Sequence, residues 1–287
     1  MYPDSLPVTR RTLFLALAQP APPALPDIRS VEPDLMVPSL VAGPPRPGAR
    51  VRIGGDVYRV LYLPEDWRPG RRYPLIVEYA GSGNYKNAFG DVSTGRPEGS
   101  NLGYGISGGR GFLWLCLPYV DPRENRNAIT WWGDPQATVD YCLRTVPSVC
   151  RDFGGDTSRV LLCGFSRGAI ACNYIGLRSE AIARLWRGFV CYSHYDGVRT
   201  WPYADCDRDS ALKRLRRLQG RPQFICHERS VAETREYIES TGIAGDFTFH
   251  DLPFRNHNDA WTLRPIPLRQ TLRTWVRKVL TLPDTAV

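Results

Sequence analysis

The chain of 287 residues is poor in several things, and each scarcity narrows what it can be. No run of about 18 apolar residues occurs, so no membrane-spanning helix is expected. Lysine occurs only at 86, 213 and 278, so the formal net charge of +8 is carried by arginine. The arginines are scattered, apart from Lys213-Arg214-Leu215-Arg216-Arg217, which reads as the solvated face of a helix. No nucleic-acid reader motif accompanies the charge, so no nucleic-acid partner is expected. The eight cysteines fit no zinc-ligand spacing, and neither a metal nor a cofactor is expected. Cys116, Cys163, Cys191 and Cys226 each fall inside a short apolar run, where a cysteine is a buried filler more often than a disulfide partner. Histidine is scarce as well, present only at 194, 227, 250 and 257. There is no internal repeat.

What is present is the composition of a globular domain, 43% apolar and 11% aromatic. The first 48 residues stand apart from it. Thr9-Arg10-Arg11-Thr12-Leu13-Phe14-Leu15-Ala16-Leu17-Ala18 is a basic pair followed by a short apolar run. It is similar to a twin-arginine export signal, with Ala16-Leu17-Ala18 suiting a cleavage site, and the other reading is an amphipathic arm. The expected location is secreted or periplasmic on the first reading and cytoplasmic on the second. The proline-rich stretch from Gln19 to Gly48 cannot build a helix or central strand, so it reads as a linker or a surface-wrapping segment. One folded domain is expected over 49–287.

Within that domain, Val51 to Ile53 and Val57 to Leu63 alternate around Gly54-Gly55-Asp56, a hairpin signal. Pro74 to Tyr79 reads as a strand running into Ala80-Gly81-Ser82-Gly83, followed by a long glycine- and asparagine-rich loop to Gly111. Phe112 to Leu117 is another buried strand. Asp134 suits the N-cap of a helix over about 135–151. Further strands are expected at Gly188 to Tyr192, Gln223 to Cys226 and Phe247 to Leu252. Helices are expected near 179–186, 209–218 and 267–280, and another through Ile238 that starts from a Ser230/Glu233 capping box. Strands alternating with helices imply an α/β fold, mainly a parallel sheet covered on both faces, with an antiparallel hairpin at its start.

The most informative stretch is Arg159 to Ala169. Val160 to Cys163 has the length of a buried strand, Gly164-Phe165-Ser166-Arg167-Gly168 spells G-x-S-x-G, and Ala169 to Leu177 reads as a helix. Strand, tight turn and helix are the context a nucleophile elbow requires. The glycines admit close backbone approach, and the helix start offers N–H groups and a positive dipole end to a developing oxyanion. Ser166 then needs a base. His250 sits in a strand pattern and reads as structural, whereas His194 and His227 end strands. His257, in the loop after the last strand, is the one histidine with room for a strand and an acid before it in the order Ser, acid, His.

On these residues the chain resembles the α/β-hydrolase superfamily over about residues 49 to 285. It is most similar to the secreted esterase branch of feruloyl esterases, acetylxylan esterases and polyhydroxyalkanoate depolymerases. The resemblance is carried by Tyr73-Pro74-Leu75-Ile76-Val77, Asp156-Thr157-Ser158-Arg159-Val160 and the elbow. It implies Ser166 as nucleophile, His257 as base, and an oxyanion hole from the Arg167 N–H with that of Gly81 or Ser82. Ala80-Gly81 stands where the family usually has His-Gly, which leaves the choice between Gly81 and Ser82 open. Ser followed by Arg is similar to glucuronoyl esterases, where the arginine side chain helps hold the oxyanion, which suggests a catalytic or substrate-clamping side chain for Arg167; the alternative is an exposed arginine in a structural salt bridge. For the acid, Glu228 is preferred to Asp196, because the loop after the penultimate strand is the commoner place. Trp131, Trp132 and Tyr195, with Trp201 and Trp261, lie in loops able to rim a pocket for sugar, phenolic or polyester units, and the other reading for each is a loop aromatic packed on its own domain. The expected activity is hydrolysis of a small-molecule or polymer ester through an acyl-enzyme. The rivals are a prolyl-oligopeptidase-like peptidase, against which the lack of a propeller-length N-terminal domain counts, and an inactive binding module.

Overall fold

The structure, a computed structural model, describes residues 24–281. The Thr9 to Ala18 stretch read as an export signal lies outside the described residues. Short apolar runs broken by glycine and proline form thirteen strands among the described residues. In chain order they are β1 (Leu40–Val41), β2 (Arg50–Gly54), β3 (Tyr58–Tyr62), β4 (Tyr73–Tyr79), β5 (Tyr85–Lys86), β6 (Val92–Ser93), β7 (Leu113–Leu117), β8 (Tyr119–Asp121), β9 (Arg126–Ala128), β10 (Gly155–Phe165), β11 (Gly188–Tyr192), β12 (Gly220–Glu228) and β13 (Gly245–Leu252). Nine of them make one sheet in the order β1-β2-β3-β7-β4-β10-β11-β12-β13. β3 runs antiparallel to β2 and to β7, and every other pair in the sheet is parallel. The pairs β5–β6 and β8–β9 form separate antiparallel ribbons.

Side chains alternate across the strands, so each central strand feeds two cores. Val160 and Leu162 pack on one face and Leu161 and Cys163 on the other. Of the seven α-helices among the described residues, α2 (Pro135–Phe153), α3 (Arg167–Tyr174), α4 (Glu180–Ala183), α5 (Arg208–Leu215) and α6 (Ala232–Thr241) contribute apolar residues to the first core. α1 (Leu102–Ser107) and α7 (Pro267–Thr281) contribute to the second. α2 starts as its sequence dictates: the Asp134 carboxylate accepts the Ala137 N–H at 2.8 Å, and Pro135 occupies the first turn, where no N–H is needed. All eight cysteines are unpaired, and Cys116, Cys163, Cys191 and Cys226 are fully buried. No helix of the described residues is long and apolar enough to cross a membrane.

Several local expectations differ from what forms. The stretch to Gly111 is not one loop, because it contains the β5–β6 ribbon and α1. The reason is long-range: the buried Glu78 carboxylate accepts the N–H groups of Asn101, Leu102 and Gly103, and the Trp114 Nε1–H at 2.8 Å. The glycines of α1 are packing residues, since a Cβ on Gly103 would fall 2.2 Å from the Trp114 ring and one on Gly105 2.3 Å from Thr262. Ser230 does not cap α6; Val231 holds that place, and Glu233 pairs with Arg199 instead. The Lys213 to Arg217 run is not wholly solvated, because Arg214 turns inward to the Asp196 carboxylate at 2.7 Å. Ahead of Ala49, Ile28 is buried, Asp34 pairs with Arg269, and β1 adds to the sheet edge.

Burial pushes the Glu78 carboxyl up to about 7, helped by the Asp259 charge and opposed by its N–H donors. Burial likewise raises Asp259 to about 6. A folded-state value above the unfolded one means stability that is complete below the unfolded pKa and lost as pH rises through about 7 for Glu78. Wild type should therefore lose more thermal stability between about pH 5 and pH 8 than Glu78→Gln, by on the order of 5 °C in Tm. Parallel Tm slopes for the two proteins would remove Glu78 from this pH dependence.

Candidate active site

The register of the sheet gathers the candidate residues at one edge. Tyr79 of β4 lies opposite Gly164 of β10, Phe165 opposite Tyr192 of β11, and Tyr192 opposite Cys226 of β12. The residues next in sequence therefore share the carboxyl edge of the sheet. Between β4 and β10 the strand order reverses, which is where ligands bind in open α/β sheets. Three of these strands end in a non-glycine residue with positive φ or pass directly into one: Ser166 (54°), Ser193 (85°) and Arg229 (69°). Each continues the ladder by donating its N–H to the next strand, to Tyr192, Cys226 and Leu252 respectively. Such backbone costs about 1–3 kcal/mol and persists where its surroundings enforce it.

At Ser166 the enforcement is steric. A Cβ on Gly164 would lie 2.1 Å from the Gly168 carbonyl oxygen, and one on Gly168 would lie 2.0 Å from that of Tyr79. Only glycines allow α3 to start this close to β10 and β4. The Ser166 hydroxyl does not cap α3; it meets His257 Nε2 at 3.0 Å. On the other side of the ring, Nδ1 lies 2.7 Å from Glu228 Oε1. Burial raises the Glu228 carboxyl, but the hydrogen bond and charge of His257 outweigh that and bring it below the usual range. The carboxylate stays ionised.

The histidine loop is held from outside the sheet. Asp91 is buried beneath it and accepts the His257 N–H at 3.0 Å and the Asn256 side-chain amide at 3.0 Å. Asn87 donates to the same carboxylate at 2.7 Å. The Ile28 N–H donates to Asn256 Oδ1, tying the N-terminal segment to the loop. The imidazole lies between Tyr85 and Phe165, with ring centroids at 4.9 and 4.7 Å. Neither Asp91 nor Ser193 stands out in the sequence; an Asn/Asp-rich loop and a strand-end serine are both commonplace.

The other candidates divide. Asp196 is not beside the relay: its fully buried carboxylate is held by Arg214 Nε at 2.7 Å and Nη2 at 3.1 Å. Its Asp-Gly turn faces α5, and the basic run supplies the counter-charge. Trp132 lines neither the cleft of about 640 Å³ nor that of about 530 Å³, and Tyr195 touches a cavity of only about 20 Å³ beside His194 and Trp201. Each is 2% exposed, with Trp132 stacked on Tyr174 and the Tyr195 hydroxyl donating to Gln223. Trp261 is also fully buried. Trp131 and Trp201 remain half-buried, 5.7 Å apart, and Trp201 continues to His194 at 5.5 Å. His227 sits beside Thr234, and His250 stacks on Phe224.

The Arg167 side chain is neither an exposed salt-bridge arginine nor a free clamp. It is 2% exposed and donates to the carbonyls of Trp131, Gly81 and Gly95 at 2.5, 2.9 and 3.1 Å. Its guanidinium lies 3.9 Å over the Tyr119 ring. Burial lowers it to about 10, so it stays charged at neutral pH. The first N–H groups of α3 have no intrahelical acceptor, and these include that of Arg167. Across from them the Gly83 N–H is bound to Ile129 O at 2.6 Å, whereas among the described residues no acceptor takes up that of Gly81 or Ser82.

A cleft of about 530 Å³ is lined by His257, Glu228, Ser193, His194, Tyr85 and Arg229 among others. A separate cleft of about 640 Å³ is lined by Arg52, Arg96, Asn127 and Trp131 among others and contains none of Ser166, His257 and Glu228. The first cleft is the one that carries His257 and Glu228 of the relay. Among the described residues no cluster of His, Cys, Asp and Glu is arranged to hold a metal ion.

The sheet order, the elbow and the helices on both faces are those of the α/β-hydrolase fold, and the protein has that fold. Among solved structures it is similar to a thermostable esterase, at 14% identity and TM-score 0.51, over 80% of this chain and 62% of that one. It is also similar to a putative dipeptidyl aminopeptidase IV from Bacteroides ovatus, at 13% identity and TM-score 0.54, over 79% of this chain and 35% of that one. The chain thus spans about three-fifths of the esterase and about a third of the aminopeptidase. No protein-family model and no curated protein matches the sequence.

Asp91→Ala removes one acceptor from four donors, the His257 N–H and the side-chain amides of Asn87, Asn256 and Asn258. It should slow the reaction of Ser166 with a fluorophosphonate by about 10–100-fold and lower stability by about 2–4 kcal/mol. Labelling kinetics and urea denaturation check both, and wild-type labelling would show that Asp91 does not position the loop.

Proposed function

We propose that the protein is a serine hydrolase that cleaves carboxylic esters through an acyl-enzyme. The observation that carries this reading is the relay Ser166 Oγ to His257 Nε2 at 3.0 Å and His257 Nδ1 to Glu228 Oε1 at 2.7 Å. His257 takes the Ser166 proton as Oγ attacks the ester carbonyl. Glu228 keeps the proton on Nδ1 and stabilises the imidazolium. The oxyanion is received by the Arg167 N–H and by that of Gly81 or Ser82. The alcohol leaves with the proton from His257, and water then attacks the acyl-enzyme by the same relay. The half-buried Trp201, 5.5 Å from His194 at the rim of the relay cleft and followed by Trp131 5.7 Å further on, supports a planar or ring-shaped substrate group such as a sugar, a phenolic acid or a polyester unit.

Ser166→Ala should abolish hydrolysis of p-nitrophenyl and hydroxycinnamate esters, a loss on the order of 10⁴-fold or more, with the fold intact. Substantial turnover by a folded Ser166→Ala would sink the assignment. Faster wild-type cleavage of aminoacyl p-nitroanilides than of the esters would favour a peptidase instead. No reaction with any of them, nor with a fluorophosphonate, would favour a binding module.

The two carboxylates separate cleanly. Glu228→Gln should lower kcat by about 10³-fold or more at little cost in stability. Asp196→Asn should cost about 3–5 kcal/mol by stranding buried Arg214, yet leave folded enzyme active. Inactivity of folded Asp196→Asn, with activity in Glu228→Gln, would reverse the roles.

A further inference from the structure

Ser193 follows β11, between the strand ends that carry Ser166 and Glu228. Its side chain is almost buried, and its oxygen has three polar neighbours: His257 Nδ1 at 2.8 Å, Glu228 Oε1 at 2.9 Å and His194 Nδ1 at 3.3 Å. We propose that the Ser193 hydroxyl is a positioning residue of the relay, locking the Glu228 carboxylate and the His257 ring to one another from the end of β11. The inference rests on the hydrolase reading above.

The inventory of donors and acceptors sets the arrangement. A hydroxyl has one proton to donate and two lone pairs to receive with. With His257 carrying its proton on Nδ1, that N–H is shared between Glu228 Oε1 and Ser193 Oγ. The Ser193 proton then goes to Glu228 Oε1, which lies within reach at 2.9 Å. Glu228 Oε2 is buried without a hydrogen-bond partner. The carboxylate is therefore oriented by two side chains acting on one oxygen, and Ser193 is the one of them that is not the base. Burial and the neighbouring His257 lower His194 to about 3 and keep it neutral, and its Nδ1, 3.3 Å away, meets the remaining lone pair of the hydroxyl when that nitrogen carries the proton.

The backbone supplies an independent argument. Ser193 holds φ at 85°, which side chains resist and glycine adopts freely. A residue needed only to end β11 and turn the chain would be better served by glycine. A serine here accepts backbone strain, and its hydroxyl touches both the acid and the base.

That strain makes the test clean, because Ser193→Gly removes the hydroxyl while relieving the backbone. Thermal stability should be equal to wild type or higher. The rate of Ser166 phosphonylation by a fluorophosphonate and kcat on p-nitrophenyl acetate should both fall about tenfold, with KM unchanged within about twofold. The downfield Nδ1–H proton resonance of His257 should shift. Ser193→Ala, which keeps a Cβ, should be slowed equally, so that a loosened loop in the glycine variant cannot mimic the effect. Wild-type rates and an unmoved resonance in both variants would overturn the role. A wild type that does not react with the fluorophosphonate would overturn the hydrolase reading and this role with it. A reactive wild type with equally reactive variants would overturn the role alone.

Discussion

At the centre of the molecule α3 begins against bare backbone. The carbonyls of Gly168 and Tyr79 lie where a Cβ on Gly164 or Gly168 would have to go, at 2.1 and 2.0 Å. That crossing leaves Ser166 a single way through, with φ 54° and ψ −115°. A strained residue at a free chain end would relax, but here the helix behind it and the ladder bond from its N–H to Tyr192 O allow no slack. The two cores add the resistance. α3 is buried along its whole length on one face of β10, and Leu161 and Cys163 anchor the other face. Deleting such buried side chains costs roughly 2–5 kcal/mol each, more than the strain they hold in place.

The sheet alone cannot place the proposed base, because β13 ends at Leu252 and His257 lies five positions beyond it. A loop of that kind keeps its geometry only if its polar groups are satisfied by parts of the chain that do not move with it. Asp91, 166 positions away in sequence, does this for the His257 N–H, and the N-terminal Ile28 does it for Asn256. Tyr85 and Phe165 fix the ring plane by contact. The residues before Ala49, which composition alone marks as apart from the domain, therefore bear on the site through hydrogen bonds.

Much of this was legible in the sequence, for physical reasons that also explain the rest. Strand-length apolar runs and the G-x-S-x-G turn are local signals with one good structural solution. Chain order adds the placement of His257 and Glu228. Sequence fails where a residue's meaning depends on a distant partner. The glycines of α1 read as loop because nothing nearby shows that Trp114 and Thr262 press against them, or that Glu78 caps the helix. Trp132 and Tyr195 read as pocket walls because loop aromatics look alike until Tyr174 and Gln223 are seen beside them. Asp196 could be weighed against Glu228 only by position, and its partner Arg214 was hidden in a basic run that looked solvated.

Arg167 shows the same dependence at the proposed oxyanion loop. Its guanidinium is buried with no carboxylate among its hydrogen-bond partners, so its charge is balanced by carbonyl dipoles and the Tyr119 ring. The described peptide bonds are all trans, and in a trans peptide the C=O of one residue and the N–H of the next point in opposite directions. By holding the Gly81 carbonyl, Arg167 thus fixes the direction of the Ser82 N–H. By donating to the Ala80 carbonyl at 3.1 Å, the Tyr119 hydroxyl fixes that of Gly81 in the same way. Both candidate donors are aimed from beneath by two side chains stacked on each other. Under the proposed mechanism a buried arginine can in this way determine how well an oxyanion is received, since donors set before the reaction need no reorganisation during it.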